Sequence, residues 1–170
     1  MSSKDIIATE RLTIGSIREG DFDALIAIFK HEQVSKTYMV PTLKTLEEEQ
    51  KLFSRILEMS HKTDRYVYGV FLNGQLIGII NDTEIIGSRI ELGYALDPAH
   101  FSKGYMTEAL KAIIQHLFDN GFEEVLCGAF ETNLASIRVM EKCGMSRLDR
   151  TESIEYRDQV HPCVFYSIKK

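Results

Sequence analysis

No tryptophan occurs among the 170 residues of this chain, and prolines and cysteines number only three each. The apolar runs are too short to span a membrane, and the first residues lack the apolar core of a signal peptide. Cys127, Cys143 and Cys163 are odd in number and widely spaced, without the paired spacing of a zinc site. These absences predict a cytoplasmic protein with buried free thiols, no membrane association and no metal.

The chain also lacks a basic excess, because 20 lysines and arginines stand against 25 acidic residues for a net charge of −5. Nucleic-acid-binding proteins usually carry a basic stripe that neutralises phosphates, and no such cluster is visible, so we expect no nucleic-acid partner. An acidic surface favours a basic substrate such as an amine or a cationic peptide. The length predicts a single domain over residues 1–170, as a monomer or a homodimer.

Hydrophobic periodicity predicts strands alternating with helices. Asn73-Gly74 between two apolar runs is a strong signal for a hairpin turn, and residues 31–42 have no clean period and are predicted to form a loop. The predicted strands are 12–17, 66–72, 75–80, 89–96, 125–130, 146–156 and 163–168, and the predicted helices are 20–29, 45–59, 105–120 and 133–143. This order predicts an α/β fold with a mixed sheet.

A phosphate-binding geometry is indicated where the fourth predicted strand meets the long helix. Asp97-Pro98 ends the strand, a polar turn carries Gly104, and a strongly periodic helix follows. The first turn of a helix has unpartnered N–H groups and favours an anion, while glycine permits close approach of a ligand. The turn lacks the Lys-Ser/Thr of an ATP-binding loop and the three glycines of a dinucleotide site. The same pattern also fits a helix that binds nothing.

Four segments, in order, resemble the Gcn5-related N-acetyltransferases (GNAT), and most of all the branch that acetylates ribosomal-protein N-termini. Phe101-Ser-Lys-Gly-Tyr-Met-Thr-Glu-Ala-Leu110 is similar to that family's acetyl-CoA loop. The others are Thr9-Glu-Arg-Leu-Thr13 with Arg18 and Asp21, Ile90-Glu-Leu-Gly-Tyr94, and Asn133-Leu-Ala-Ser136 with Glu141-Lys-Cys-Gly-Met145. The resemblance implies an α/β fold with a mixed, mostly antiparallel central sheet flanked by helices.

The resemblance further implies acetyl-CoA as cosubstrate and direct acetyl transfer to a primary amine in a ternary complex. A protein N-terminal amine is the nearest acceptor, while polyamines, amino acids and amine antibiotics stay open as small-molecule acceptors. A CoA-binding module without catalysis and a nucleotide-binding protein are the alternatives from other classes. The absent ATP-loop lysine argues against the second alternative.

The cofactor-binding residues that the resemblance implies surround the predicted loop and the start of the last helix. Gly104 stands where the backbone approaches the pyrophosphate, and Met106 departs from the small residue that is usual there. Asn133 also fits a simple helix N-cap. The set is Ala95, Leu96, Phe101, Ser102, Lys103, Gly104, Tyr105, Met106, Thr107, Asn133 and Ser136.

Glu91 and Ser136 are the candidate catalytic residues. Glu91 is a carboxylate in an apolar strand, where partial desolvation would raise its pKa and suit it as the base. The alternative is an exposed Glu91 paired with Arg89 or Lys103. Ser136 could hydrogen-bond the leaving sulfur or be an ordinary helix serine, and Met140 stands where many members carry a proton-donating tyrosine. Three tyrosines could wall the acceptor pocket or belong to the core: Tyr38, Tyr94 and Tyr166.

Overall fold

In the computed structural model, which describes residues 5–170, the strands form one mixed sheet with helices on both faces. Within those residues the strands are β1 Ile7–Ala8, β2 Leu12–Gly15, β3 Tyr68–Leu72, β4 Gln75–Ile86, β5 Arg89–Leu96, β6 Glu124–Phe130, β7 Ser146–Tyr156 and β8 Gln159–Lys169. The α-helices are α1 Phe22–Lys30, α2 Glu32–Ser35, α3 Leu46–His61, α4 Tyr105–Asp119 and α5 Leu134–Lys142. None of these helices is long and apolar enough to cross a membrane.

The strand order in the sheet is β1-β2-β3-β4-β5-β6-β8-β7. Only β5 and β6 are parallel neighbours, joined through α4, and every other neighbouring pair is antiparallel. The mixed, mostly antiparallel sheet predicted from the sequence is therefore confirmed.

The two faces of the sheet carry separate hydrophobic cores. Helix α4 buries an entire apolar stripe, which includes Leu110, Ile113 and Leu117, against one face, and Met140 of α5 joins the same core. On the opposite face α1 and α3 pack through residues such as Phe29 and Phe53. The helical spacing of apolar residues thus determined which side of each helix faces the sheet.

Several elements exceed the predicted boundaries for one physical reason. The residues that extend β4 to Ile86, and those that begin β8 at Gln159, are mostly exposed, so they show no apolar alternation. Their strand structure comes from backbone pairing across the hairpins. Helix α2 lies within the predicted loop and has only four residues, too few to show a period. Asn73 and Gly74 form the expected turn, with φ values of 49° and 79°.

All three cysteines are free and buried, as the sequence predicts. Burial raises the pKa of Cys143 to about 11 and raises the pKa of Cys127 further. Both thiols therefore stay protonated near neutral pH and act as small apolar side chains.

Strands β5 and β6 pair over only part of their length. Their pairing runs from Arg89 opposite Glu124 to Leu92 opposite Cys127. Beyond that point β5 stays with β4 and β6 stays with β8, so the two strands diverge. A bulge at Thr83 in β4 lies opposite the last paired residues of β5, and bulges increase local twist. The divergence opens the sheet at its centre.

Candidate active site

A cavity of about 840 Å³ occupies the opening between the diverging strands. Its walls come from strands β4 to β8, from the start of α4, from one face of α5, and from α2 with the segment that follows it. Pockets of about 300–1,000 Å³ are typical of small-molecule sites. The cavity is therefore the candidate active site, and it lies where the sheet is interrupted.

The turn before α4 adopts the conformation that the glycine signal predicts. Asp97 directly follows β5, and its carboxylate accepts a hydrogen bond of 2.9 Å from the Ala99 N–H. Gly104 is the N-cap of α4 with a left-handed φ of 80°, and Ser102 has a φ of 59°. The N–H groups of the first helical turn have no partner within the helix. The start of α4, which lines the cavity, therefore offers donors and a positive dipole end to an anion.

Arg11, in the N-terminal part of the chain, stabilises this turn through hydrogen bonds. The Glu108 carboxylate accepts hydrogen bonds from the Thr9 hydroxyl (2.6 Å) and from the N–H and Nε of Arg11 (2.9 and 2.7 Å). Arg11 Nη1 also donates to the Lys103 carbonyl at 2.9 Å, and its guanidinium lies 4.5 Å from the Tyr105 ring centroid. Two of the sequence segments thus meet here, and together they fix the loop.

Replacing Arg11 with methionine should weaken binding of acetyl-CoA, the cosubstrate that the resemblance implies, because the loop loses the hydrogen bonds from Arg11. Arg11 is 41% exposed, so we expect a loss of only about fivefold to tenfold in affinity, on the order of 1 kcal/mol. Isothermal titration calorimetry measures the change, and Arg55→Met, on the exposed side of α3, is the control. Equal affinities for the Arg11 variant and wild type would show that the loop holds its shape without Arg11.

Ten of the eleven predicted cofactor-binding residues line the cavity, and Lys103 does not. The Lys103 ammonium instead donates to the Ala99 carbonyl at 3.0 Å. Met106 is only 4% exposed and belongs to the core under α4, so its bulk is accommodated there. Asn133 caps α5, because its side-chain oxygen accepts from the Ser136 N–H at 3.2 Å. Asn133 therefore both caps α5 and lines the cavity.

Glu91 lies on the cavity wall with its side chain 19% exposed. Neither Arg89 nor Lys103 pairs with it, so that alternative is wrong. Its neighbour is Arg150 of β7, with Nη1 3.6 Å from Glu91 Oε2. Burial raises the pKa of the Glu91 carboxyl above its ordinary value, and the Arg150 charge opposes that rise. A carboxyl group with a raised pKa is a stronger base, and its ionised form can accept a proton.

Arg150 is itself held in place from two sides. Its Nη2 lies 2.7 Å from Glu152 Oε1, and its guanidinium lies 3.8 Å from the Phe165 ring centroid. The pairing of β7 with β8 is irregular between Arg147 and Thr151, so Arg150 falls within the irregular segment. Arg150 is distant from Glu91 in the chain, so no local pattern in the sequence predicts their contact.

Replacing Arg150 with methionine should shift the acid limb of the kcat/KM profile to higher pH. The Arg150 charge lowers the pKa of Glu91, so its removal raises that pKa and protonates the base at pH values where wild type is active. Methionine retains apolar contact with Phe165. Arg147→Met, on the same strand, is the control and should leave the limb in place. An unchanged limb in the Arg150 variant would contradict the assignment of Glu91 as the titrating base.

The three predicted acceptor-site tyrosines separate into two groups. Tyr38 and Tyr94 line the cavity, but both hydroxyls are engaged. Tyr38 Oη donates to Asn81 Oδ1 at 2.7 Å, and Tyr94 Oη lies 2.7 Å from Ser136 Oγ. Tyr166 is 5% exposed, packs in the core under α5, and is absent from the cavity wall. Tyr166 therefore does not enter the proposed acceptor site.

Three lysines and arginines outside the predicted set line the cavity, and of these Lys36 is paired with Glu32. Arg138 and Lys142 are spaced four residues apart on α5 and face the opening, as residues at that spacing share one helix face. No ion pair joins either of them to another side chain among residues 5–170. Arg138 and Lys142 both lie on the helix that follows the Asn133 N-cap, and this position in the sequence could have identified them as cavity residues.

The chain matches the family model described as "Acetyltransferase (GNAT) domain" over residues 11–146. The probable N-acetyltransferase YjcK of Bacillus subtilis is 32% identical over 109 residues, which cover 61% of this chain and 60% of that protein.

Two solved structures share the fold at low identity. One is RimL, the alpha-N-protein acetyltransferase of ribosomal L7/L12, in complex with coenzyme A, with a TM-score of 0.85, 19% identity and coverage of 97% of this chain and 98% of that one. The other is the microcin C7 self immunity acetyltransferase MccE in complex with acetyl-CoA and AMP, with a TM-score of 0.83, 14% identity and coverage of 95% and 94%.

Proposed function

This chain belongs to the GNAT family of N-acetyltransferases, and we propose that it moves an acetyl group from acetyl-CoA directly to the N-terminal amine of a protein. The family match confirms the resemblance drawn from the segment Phe101–Leu110. One observation carries the proposal. The cavity combines the Gly104 turn at the start of α4, and two cations that form no ion pair among the described residues, with a single acidic group, Glu91.

The cationic part of the cavity fits the phosphates of acetyl-CoA. The backbone of residues 101–106 and the first turn of α4 would hold the pyrophosphate. Arg138 and Lys142 add positive charge from α5. The diverging edges of β5 and β6 leave backbone groups available to an extended ligand, because each strand is paired on its other side only. A thin pantetheine chain suits that opening.

Acetyl-CoA, when bound, supplies a thioester whose carbonyl carbon an amine can attack. Glu91 would take the proton of the attacking amine, directly or through a water molecule. The N-terminus of α5 would favour negative charge on the leaving sulfur. Burial raises the pKa of Cys163, the one cysteine on the cavity wall. A thiol that stays protonated is a poor nucleophile, so direct transfer is favoured over an acetyl-enzyme.

A slender acceptor is favoured because side-chain hydrogen bonds connect α2 and the segment after it to β4 and β7, so that these elements form a closed ring with the sheet. Tyr38 links the segment after α2 to Asn81 of β4, and the Tyr156 hydroxyl of β7 donates to the Ser35 carbonyl at 2.7 Å. The remaining links of the ring are the paired strands β7, β8, β6, β5 and β4. A flexible chain terminus can enter such a ring more readily than the surface of a folded domain.

The charges in the cavity argue against a polyamine acceptor. Glu91 is the only carboxylate among the described residues that line it, so further ammonium groups of a polyamine would have no partner there. The solved neighbour RimL acts on the alpha-amine of a ribosomal protein, which supports an N-terminal acceptor here. We therefore favour a single terminal amine.

Product analysis by mass spectrometry with three acceptor types tests the proposal. The acceptors are a lysine-free peptide with a free N-terminus, an N-terminally blocked peptide containing lysine, and a panel of spermidine, amino acids and an amine antibiotic. We expect acetylation of the first peptide alone. Faster acetylation of a small amine would overturn the acceptor assignment while leaving acetyl transfer in place.

A further inference from the structure

Tyr94 and Ser136 are joined across the opening between β5 and β6. Tyr94 lies on β5, and its Oη is 2.7 Å from Ser136 Oγ and 3.0 Å from the Ser136 carbonyl oxygen. Ser136 lies in the first turn of α5, which follows β6. Both side chains line the cavity. The contact therefore connects the two parts of the protein that the diverging strands separate.

A serine in this position would ordinarily bond to its own helix. Serine hydroxyls inside helices commonly donate to a carbonyl in the preceding turn, which points the hydrogen away from the surroundings. The backbone N–H of Ser136 is already bonded to Asn133. The hydroxyl group has one hydrogen and can also accept hydrogen bonds. If another group donates a hydrogen bond to Ser136 Oγ, the serine hydroxyl can donate its own hydrogen to a different acceptor.

Tyr94 has the properties of such a donor. A tyrosine carries one O–H, and Tyr94 Oη lies nearer to Ser136 Oγ, at 2.7 Å, than to the Ser136 carbonyl oxygen, at 3.0 Å. Burial raises the pKa of the Tyr94 phenol well above its ordinary value, so the phenol keeps its hydrogen near neutral pH. Met140, four residues beyond Ser136, is fully buried and does not line the cavity. Met140 therefore offers no second hydrogen-bond donor to the cavity.

We propose that Tyr94 is a positioning residue that donates its hydrogen to Ser136 Oγ and so directs the Ser136 hydroxyl hydrogen at the leaving sulfur. The inference rests on the proposed acetyl transfer. In that step the amine nitrogen forms a bond to the thioester carbon, the carbon–sulfur bond breaks, and its electron pair stays on sulfur. Glu91 receives the amine proton. Ser136 donates a hydrogen bond to the sulfur, and Tyr94 touches only Ser136.

A double-mutant cycle with Tyr94→Phe and Ser136→Ala tests this inference. Each single change should lower kcat about tenfold, since a lost donor to developing negative charge costs at least that much. The KM for acetyl-CoA should change little. The double variant should be no slower than the slower single variant, because Tyr94 acts only through Ser136. Tyr66→Phe, at a partly exposed tyrosine that packs on Phe122, is the control and should keep the wild-type kcat.

Three results would overturn the inference, and they are distinguishable. A wild-type kcat in the Tyr94 variant would remove Tyr94 from the reaction. Multiplied losses in the double variant would show that the two residues act independently. If Tyr94→Phe lowers both the thermal stability and the acetyl-CoA affinity but leaves kcat unchanged at saturating substrate, Tyr94 has a structural role. Absence of transfer by wild type with every amine would instead overturn the proposed function, and this inference with it.

Discussion

Replacing Glu91 with glutamine is expected to lower turnover by about 10²- to 10⁴-fold near neutral pH, with acetyl-CoA affinity unchanged. Glutamine keeps the shape of the side chain but cannot take a proton from the amine. The Glu91 carboxyl lies on the cavity wall beside Arg150 and belongs to β5, outside the turn proposed to bind the phosphates. Steady-state kinetics and calorimetry on the same preparation separate the loss of turnover from any loss of binding.

The matched control for this change is Glu84→Gln. Glu84 is the register partner of Glu91 on β4, but its side chain is 51% exposed and it is not on the cavity wall. We expect the control to turn over at the wild-type rate. The acid limb of the pH–rate profile should also vanish in the Glu91 variant and persist in the control, moved to lower pH because the Glu84 charge raises the pKa of Glu91. Wild-type turnover by Glu91→Gln would remove this residue from the mechanism.

Replacing Gly104 with aspartate is expected to abolish the stabilisation of the fold by acetyl-CoA. At about a hundred times its dissociation constant, a ligand adds roughly 2.7 kcal/mol to the free energy of unfolding. An aspartate at Gly104 adds a side chain whose Cβ would lie 3.4 Å from Arg11 Nη2, and it brings a negative charge to the turn proposed to bind the phosphates. Thermal unfolding with and without acetyl-CoA measures the effect. We expect a shift for wild type and none for the variant.

The control must carry the same backbone strain, because Gly104 has a left-handed φ of 80°. Gly87, in the turn between β4 and β5, has a φ of 59° and open space around it. Gly87→Asp should therefore cost a similar 1–2 kcal/mol or so of stability and still respond to acetyl-CoA. An unchanged response in the Gly104 variant would place the phosphate site elsewhere.

The parts of the fold that the sequence predicted are those that local patterns encode. The seven apolar positions of α4 repeat at helical spacing, and all seven are buried. The Asn73-Gly74 pair specifies a turn with two positive φ values, which fixes the neighbouring hairpin. The Gly104 turn was likewise predicted from residues adjacent in the chain. Each of these features depends on short-range stereochemistry alone.

The parts that could not be predicted depend on long-range register. Arg150, which lies in the irregular part of the β7–β8 pairing, meets Glu91 of β5, and no local pattern encodes that contact. Tyr166 shows the same dependence in a simpler form. Phe165 faces the cavity and Tyr166 faces the core, because adjacent strand residues point to opposite sides. The aromatic residue of β8 that lines the cavity is therefore Phe165, one residue before the predicted Tyr166.

The most direct test of the central claim is product stoichiometry with wild-type protein, acetyl-CoA and a lysine-free peptide that has a free N-terminus. We predict acetylated peptide and free CoA in equal amounts, formed only when both substrates are present, with no change in the mass of the protein itself. Binding of acetyl-CoA without acetylation of this peptide or of any other amine would contradict it, and would make the chain a CoA-binding module.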